Sequence, residues 1–263
     1  MLALIAGRGA LPGQVAAAQD TPPLVCALEG QPPDTLTPDI TFSLETLGTL
    51  LVTLCERGVT EVCLAGAITR PALDPARLDA ETAPLVPLLT QALQEGDDGA
   101  LRAVLALFEK TGFTVRAAHD LAPYLIAPPG VLSARAPDAQ IRRDADRGGD
   151  VLAALAPLDV GQACVVAMGQ VLAIEAAGGT NWMLETLPDT GLGAYAVLVK
   201  GAKAGQDRRA DLPTIGPDTV RAAAKAGLSA IVIAAGDVIV LDREETIGLC
   251  DARGLVLWAR EPR

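Results

Sequence analysis

Apolar residues come in short unbroken runs through the first half of the chain, with helical spacing between them. Leu2–Ala6 is a continuous apolar run closed by Gly7, the pattern of a strand buried on both faces. Leu11 to Gln19 reads as a helix, with Pro12 tolerated in its first turn. Leu24–Leu28 predicts a second strand, Leu44 to Arg57 a helix ended by Gly58, and Glu61–Ala65 a third strand closed by Gly66. A proline-rich passage runs from Pro71 to Pro87. Asp98 is then placed to cap a helix over Gly99 to Lys110, which sets Leu101, Val104, Leu105 and Phe108 on one face. Gly112 stops that helix, and Phe113 to Ala117 reads as a strand. This alternation predicts a parallel sheet with helices on both faces.

Ala127-Pro-Pro-Gly130 breaks the pattern. The stretch 127–135 therefore marks a boundary between predicted domains 1–130 and 131–263. Beyond it, Asp144 to Ala156 and Pro217 to Ala226 read as helices. Strands are expected at Ala163–Ala167, Val171 to Ala176, Ala194 to Lys200, Ala230–Ala234, Val238 to Leu241 and Gly254 to Ala259. Strands outnumber helices here, so the second half is expected to be α/β or α+β with a mixed sheet. No internal repeat stands out.

Composition narrows the chemistry. Half of the 263 residues are hydrophobic and only 3% are aromatic, so the core must be aliphatic. The net charge of −11 opposes nucleic acid, and an anionic substrate would need a local basic site. The five cysteines (26, 55, 63, 164 and 250) are odd in number and form no Cys-x-x-Cys pair, which fits buried thiols in a reducing compartment. His119 is the only histidine, which disfavours a Cys/His zinc site and leaves a Ser-His-Asp triad open only if His119 is its base. The N-terminus has no cationic leader. The longest apolar run, Leu228 to Ala235, is halted by Gly236-Asp237, short of a membrane span. A soluble cytoplasmic protein is expected, with peripheral membrane contact left open.

The densest polar stretch is Lys203 to Gly216, which carries Lys203, Asp207, Arg208, Arg209, Asp211 and Thr214. Cations there can offset an anionic substrate, and a carboxylate can hold Mg²⁺ or orient water. The alternative is a solvated loop whose charges pair with one another. Gly7 to Gly13 joins the first strand to the first helix, where a nucleotide phosphate or ribose would meet the backbone at Gly9, Ala10 and Leu11. Pro12 departs from the dinucleotide fingerprint, and no Lys-Ser/Thr follows, so this is not a Walker A loop. A plain tight turn remains the alternative. Gly66 to Pro71, with Ile68 and Arg70, lies at the carboxyl end of the third strand, the edge where open α/β sheets take ligands. Asp98 serves either as a cap or as a ligand contact. Gly178 and Gly179 permit close backbone approach, and Thr180 and Asn181 can donate to oxygen; the alternative is a left-handed turn.

In chain order, Gly7 to Pro12, Gly66 to Pro71, Gly96-Asp-Asp-Gly99 with Leu101-Arg102, Leu158 to Gln162, Glu175 to Met183 and above all Gln206 to Gly216 resemble the UDP-2,3-diacylglucosamine pyrophosphatase family of the LpxI type. The resemblance spans nearly the whole chain. It implies a Mg²⁺-dependent cytoplasmic enzyme of lipid A synthesis that releases UMP and 2,3-diacylglucosamine 1-phosphate. It further implies a Rossmann-like nucleotide domain, a lipid domain, a pyrophosphate at their junction and water directed onto the sugar-side phosphate. Asp211 stands at the family's essential aspartate and would hold the metal. Asp207 and Arg209 join it as catalytic candidates. Gly9, Ala10, Leu11, Gly66, Ile68, Arg70, Asp98, Thr180, Asn181, Lys203, Arg208 and Thr214 are the candidates for substrate binding. The expected partners are the UDP-linked lipid and its product, the inner-membrane surface and a second copy of the chain; nucleic acid is not among them. The chain departs from the family at Gly178 and Asn181, where members carry carboxylates, and at Trp182, where members carry a small residue. Those departures keep a non-catalytic lipid- or nucleotide-binding homologue open. The glycine turn after the first strand keeps a nicotinamide-dependent oxidoreductase open.

Overall fold

The computed structural model describes residues 1–69, 72–94, 97–203 and 206–261, with backbone alone at 91–94 and 97–98. Contacts divide the chain into two units. One is Met1–Pro123 together with Asp207–Asp211, and the other is Tyr124–Gln206 together with Leu212–Arg263.

Among the described residues, the first unit has a five-stranded sheet of β1 (Leu2–Ala6), β2 (Leu24–Leu28), β3 (Ile40–Phe42), β4 (Glu61–Ala65) and β5 (Thr114–Val115). The order is β3-β2-β1-β4-β5 and every pairing is parallel. Its helices are α1 (Leu11–Ala17), α2 (Leu47–Glu56), α3 (Val86–Gln94), α4 (Asp97–Lys110) and α5 (Ala118–Leu121). The chain lays strands to one side of β1 and then jumps to β4 on the other. The carboxyl ends of β1 and β4 therefore form a topological switch point. Residues 3–6 of β1 are buried, as the apolar run required. Leu50 and Leu54 of α2 and Leu105 and Phe108 of α4 fill one core with Ala3 and Ile5, and Phe108 meets Phe113 edge to face at 6.0 Å.

Two departures from expectation have local causes. Helix α3 starts at the end of the proline-rich passage, because Pro87 falls in its first turn, where no amide hydrogen bond is lost. Helix α4 begins at Asp97, so Asp98 sits within the first turn rather than at the cap.

The second unit has a mixed sheet of β6 (Gly130–Val131), β7 (Ala163–Ala167), β8 (Gln170–Ile174), β9 (Val197–Lys200), β11 (Ala230–Ala234) and β13 (Val256–Arg260), in the order β6-β13-β11-β9-β7-β8. Strands β9, β11 and β13 run parallel, while β7 opposes β9 and β8, and β6 opposes β13. A separate parallel pair joins β10 (Thr214–Ile215) to β12 (Ile239–Val240). Helix α6 (Ala139–Leu155) covers one face through Ile141 and Ala145. Helices α7 (Gly179–Glu185), α8 (Pro217–Lys225) and α9 (Arg243–Arg253) cover the other, through Met183, Leu184, Val220, Ala223 and Cys250. The sequence pattern missed α7 and α9. It also placed the start of α6 at Asp144 rather than Ala139. The Asp138 carboxylate caps that helix by accepting from the amides of Gln140 and Ile141.

Asp144 is fully buried and explains its own burial. Its carboxylate accepts from the amides of Met168 (3.0 Å) and Gly169 (2.7 Å) and from Gln140 Nε2 (2.9 Å), so it caps the β7–β8 hairpin. Replacing Asp144 with Ala strips these donors of their acceptor. It should lower stability by about 2–4 kcal/mol, read from the urea midpoint.

Candidate functional site

At the carboxyl edge of the first sheet, the loops after β1 and β4 are zipped together. Arg8 and Ala67 exchange both backbone hydrogen bonds at 2.9 Å, and Arg8 Nη2 donates to Thr69 Oγ1 at 2.5 Å. A Cβ on Gly7 would lie 2.6 Å from the Ala67 carbonyl oxygen, and one on Gly66 2.7 Å from that of Arg8. Gly66 is thus required by the approach of the two loops. The Gln31 side-chain amide clamps Thr69, accepting from its N–H at 2.6 Å and donating to its C=O at 2.7 Å. Ile68 stands exposed beside this clamp. The Gly9 amide donates to Asp34 Oδ2 at 2.8 Å, so a carboxylate of the chain already occupies the donor that a phosphate would use. Ala10 and Leu11 open α1, whose seven residues carry no side-chain cap. Arg70 and the Asp98 side chain lie outside the described residues.

The polar stretch after β9 divides its charges. Residues 207–211 belong to the first unit, where Ala210 packs against the apolar core. Arg209 grips Asp207 with two parallel bonds, Nε to Oδ1 at 2.9 Å and Nη2 to Oδ2 at 2.7 Å, and gives Nη1 to Glu109 Oε1. The Arg209 guanidinium holds the Asp207 carboxyl below the usual carboxylate range. Arg209 itself is pushed above the ordinary arginine value by Asp207 and Glu109. The Asp207 carbonyl accepts from the amide of Asp211 at 3.2 Å, which closes the turn; Asp211 is half-buried and Arg208 exposed.

In the second unit, Lys203 Nζ pairs with Asp159, a residue in the left-handed region at φ 55. Its amide donates to Gln206 Oε1 at 3.0 Å. Thr214 opens β10 and donates its hydroxyl to the Leu212 carbonyl at 3.3 Å.

Lys200, which the sequence reading missed, and Glu175, which it named only as the start of a motif, organise Thr180. Lys200 ends β9 and is only 7% exposed, the one lysine among the buried polar residues described. Its ammonium donates to Thr180 Oγ1 at 2.7 Å. That hydroxyl donates on to Glu175 Oε1 at 2.8 Å, and Glu175 Oε2 accepts from the Gln162 amide at 3.0 Å. A buried cation is thereby tied to a carboxylate through a hydroxyl. The signal in the sequence was a lysine closing an otherwise apolar strand. Asn181, next to Thr180, is exposed in the first turn of α7. Gly178 and Trp182 form one arrangement: a Cβ at 178 would lie 2.7 Å from Trp182 Cε3, so the indole covers the space a side chain there would need.

Other chemistry is less well supplied. Burial pushes the Cys26, Cys63, Cys164 and Cys250 thiols up to about 12, which keeps them protonated. Among the described residues, no three or more His, Cys, Asp or Glu gather as a metal cage, and no helix is long and apolar enough to cross a membrane.

Two family models match the chain. That of the LpxI N-terminal domain matches residues 1–125, and that of the LpxI C-terminal domain matches residues 128–258. A protein of Caulobacter vibrioides named UDP-2,3-diacylglucosamine pyrophosphatase LpxI is 36% identical over 274 aligned positions, covering 100% of this chain and 98% of the relative.

Thr180→Val keeps the shape but removes the hydroxyl between Lys200 and Glu175. It should cost about 2–3 kcal/mol in urea unfolding, while Thr180→Ser, which keeps the hydroxyl, should cost about 1 kcal/mol or less. Asp207 should titrate below the usual Asp range, and Arg209→Leu should move its midpoint upward, followed by carboxyl-carbon NMR. Because the folded-state value is the depressed one, the contribution of this pair to stability is present above the ordinary Asp value and fades as pH falls through the depressed midpoint.

Proposed function

The chain belongs to the LpxI family, and from that membership we propose that it hydrolyses the pyrophosphate of UDP-2,3-diacylglucosamine to UMP and 2,3-diacylglucosamine 1-phosphate in lipid A synthesis. The observation that carries this reading is that the two LpxI domain matches run through every segment bearing the polar groups described above.

A pyrophosphate repels an attacking oxygen because its own oxygens are negative. Cleavage needs charge neutralisation, a held water and an in-line approach. Asp211 is the residue proposed to orient that water and accept its proton. Water forms the new P–O bond at the sugar-side phosphorus, the bridging P–O bond breaks, and UMP leaves. Arg208, exposed and next in the chain to the Arg209 fork, is the candidate to receive phosphate charge. Lys203 and Arg209 already face carboxylates of the chain, so their role is to hold the polar stretch in place.

Asp211 is also the residue that would hold Mg²⁺. That ion takes one or two protein carboxylates and fills its shell with phosphate oxygens and water, which fits a donor set of one half-buried aspartate rather than an acidic cage. Bound there, Mg²⁺ would offset charge on the pyrophosphate oxygens.

We assign the uridine half to the first unit. With the Gly9 amide engaged by Asp34, hydroxyl donors of a ribose suit the switch-point edge better than a phosphate does. This also weighs against the nicotinamide reading, which needs that turn for a diphosphate. The acyl chains are assigned to the second unit, reached from a membrane surface. Gly178 is accounted for by the indole above it, so its missing side chain is not by itself the mark of an inactive homologue.

Purified protein with the lipid substrate and Mg²⁺ should release UMP, and Asp211→Asn should lower kcat by about a hundredfold or more. In ¹⁸O-labelled water the label should enter the lipid phosphate and not UMP. A folded sample that releases no UMP would refute the activity.

A further inference from the structure

The Asp207–Asp211 turn is flanked by chain of the second unit yet belongs to the first. Ala210 seats it by apolar packing, which is non-directional and does not fix its rotation. A directional hold comes from Glu109 in the last turn of α4, whose Oε1 accepts from Arg209 Nη1, and the charge of Arg102 on the same helix also favours the Asp207 carboxylate. The same guanidinium spends Nε and Nη2 on Asp207, so one planar fork joins a carboxylate of α4 to a carboxylate of the turn. The backbone of Asp207 then accepts from the amides of Ala210 (3.3 Å) and Asp211 (3.2 Å). Hydrogen bonds, joined through the covalent frame of Asp207, therefore link Glu109 by way of Arg209 to the backbone amide of Asp211.

We propose that Glu109 is a positioning residue for Asp211, an inference that rests on reading Asp211 as the carboxylate of the reaction. Arg209 can satisfy Asp207 without leaving its own turn. What Glu109 adds is a hydrogen-bonded attachment of that turn to α4, which contributes to the location of Asp211 against the first unit. The Glu109 and Arg209 side chains are 44% and 39% exposed, so the link is open to screening by salt and contributes little to folding. Its value lies in placement, where small displacements of a reacting group are costly.

The test compares wild type, Glu109→Ala, Glu109→Gln and Asp211→Asn as full chains, following UMP release from UDP-2,3-diacylglucosamine with Mg²⁺. Glu109→Ala should lower kcat about tenfold with KM changed less than about twofold. Glu109→Gln should fall between it and wild type, because its amide oxygen still accepts from Arg209 but carries no charge. At saturating substrate, the wild-type kcat should decline as KCl is raised, and the Glu109→Ala kcat should respond less. Urea midpoints should agree across the Glu109 variants. Wild-type kcat in both Glu109 variants beside an inactive Asp211→Asn overturns the positioning role and leaves the proposed function standing. A loss confined to KM, or one matched by a lowered urea midpoint, overturns it as well. Wild-type kcat in Asp211→Asn, or no UMP from wild type, removes the premise and the inference with it.

Discussion

Strands buried on both faces leave polar groups little room except at their ends. Each unit obeys this constraint. Residues 3–6 of β1 and all of β7 and β9 are buried, and the cores around them are almost wholly aliphatic. Hydrophobic burial therefore fixes the sheets and, by exclusion, sends the chemistry to the loops at their carboxyl edges. Arg8, Gln31, Asp34 and Thr69 collect at one such edge, and Lys200 closes β9 at another.

At those ends the charges mostly answer one another. Asp207 and Glu109 share Arg209, Asp159 takes Lys203, and Thr180 joins Lys200 to Glu175. The half-exposed pairs contribute little net free energy, whereas the buried Lys200 would be costly without its neighbours. The consequence is a polar stretch held in a defined shape rather than a collection of unengaged cations awaiting an anion. Of its three cations, Lys203 and Arg209 hold that shape, and Arg208 is exposed.

Much of the fold was legible because burial writes itself into sequence as uninterrupted apolar runs. Leu2–Ala6, Leu24–Leu28, Glu61–Ala65, Ala163–Ala167 and Ala230–Ala234 were each read with their observed bounds. The elements that escaped were those whose local signal was ambiguous. Helix α3 begins among prolines, and α9 opens Arg-Glu-Glu and is closed by the left-handed Gly254. The first turn of α6 hides behind the charged Arg142-Arg143-Asp144, although Asp144 is buried as a hairpin cap.

The candidate site shows the same division. The sequence by itself determined which residue types stand at the strand ends, the order of the motifs and the family they resemble, because these are properties of a linear pattern. Only the tertiary structure decided partners. It took Asp207 from the open carboxylates by giving it Arg209, brought Glu109 from a helix a hundred residues away, and turned Thr180 toward Lys200 and Glu175. Hydrogen bonds and ion pairs act over a few ångströms between residues far apart in the chain, so their pairing is set by how the elements pack and leaves no periodicity to read.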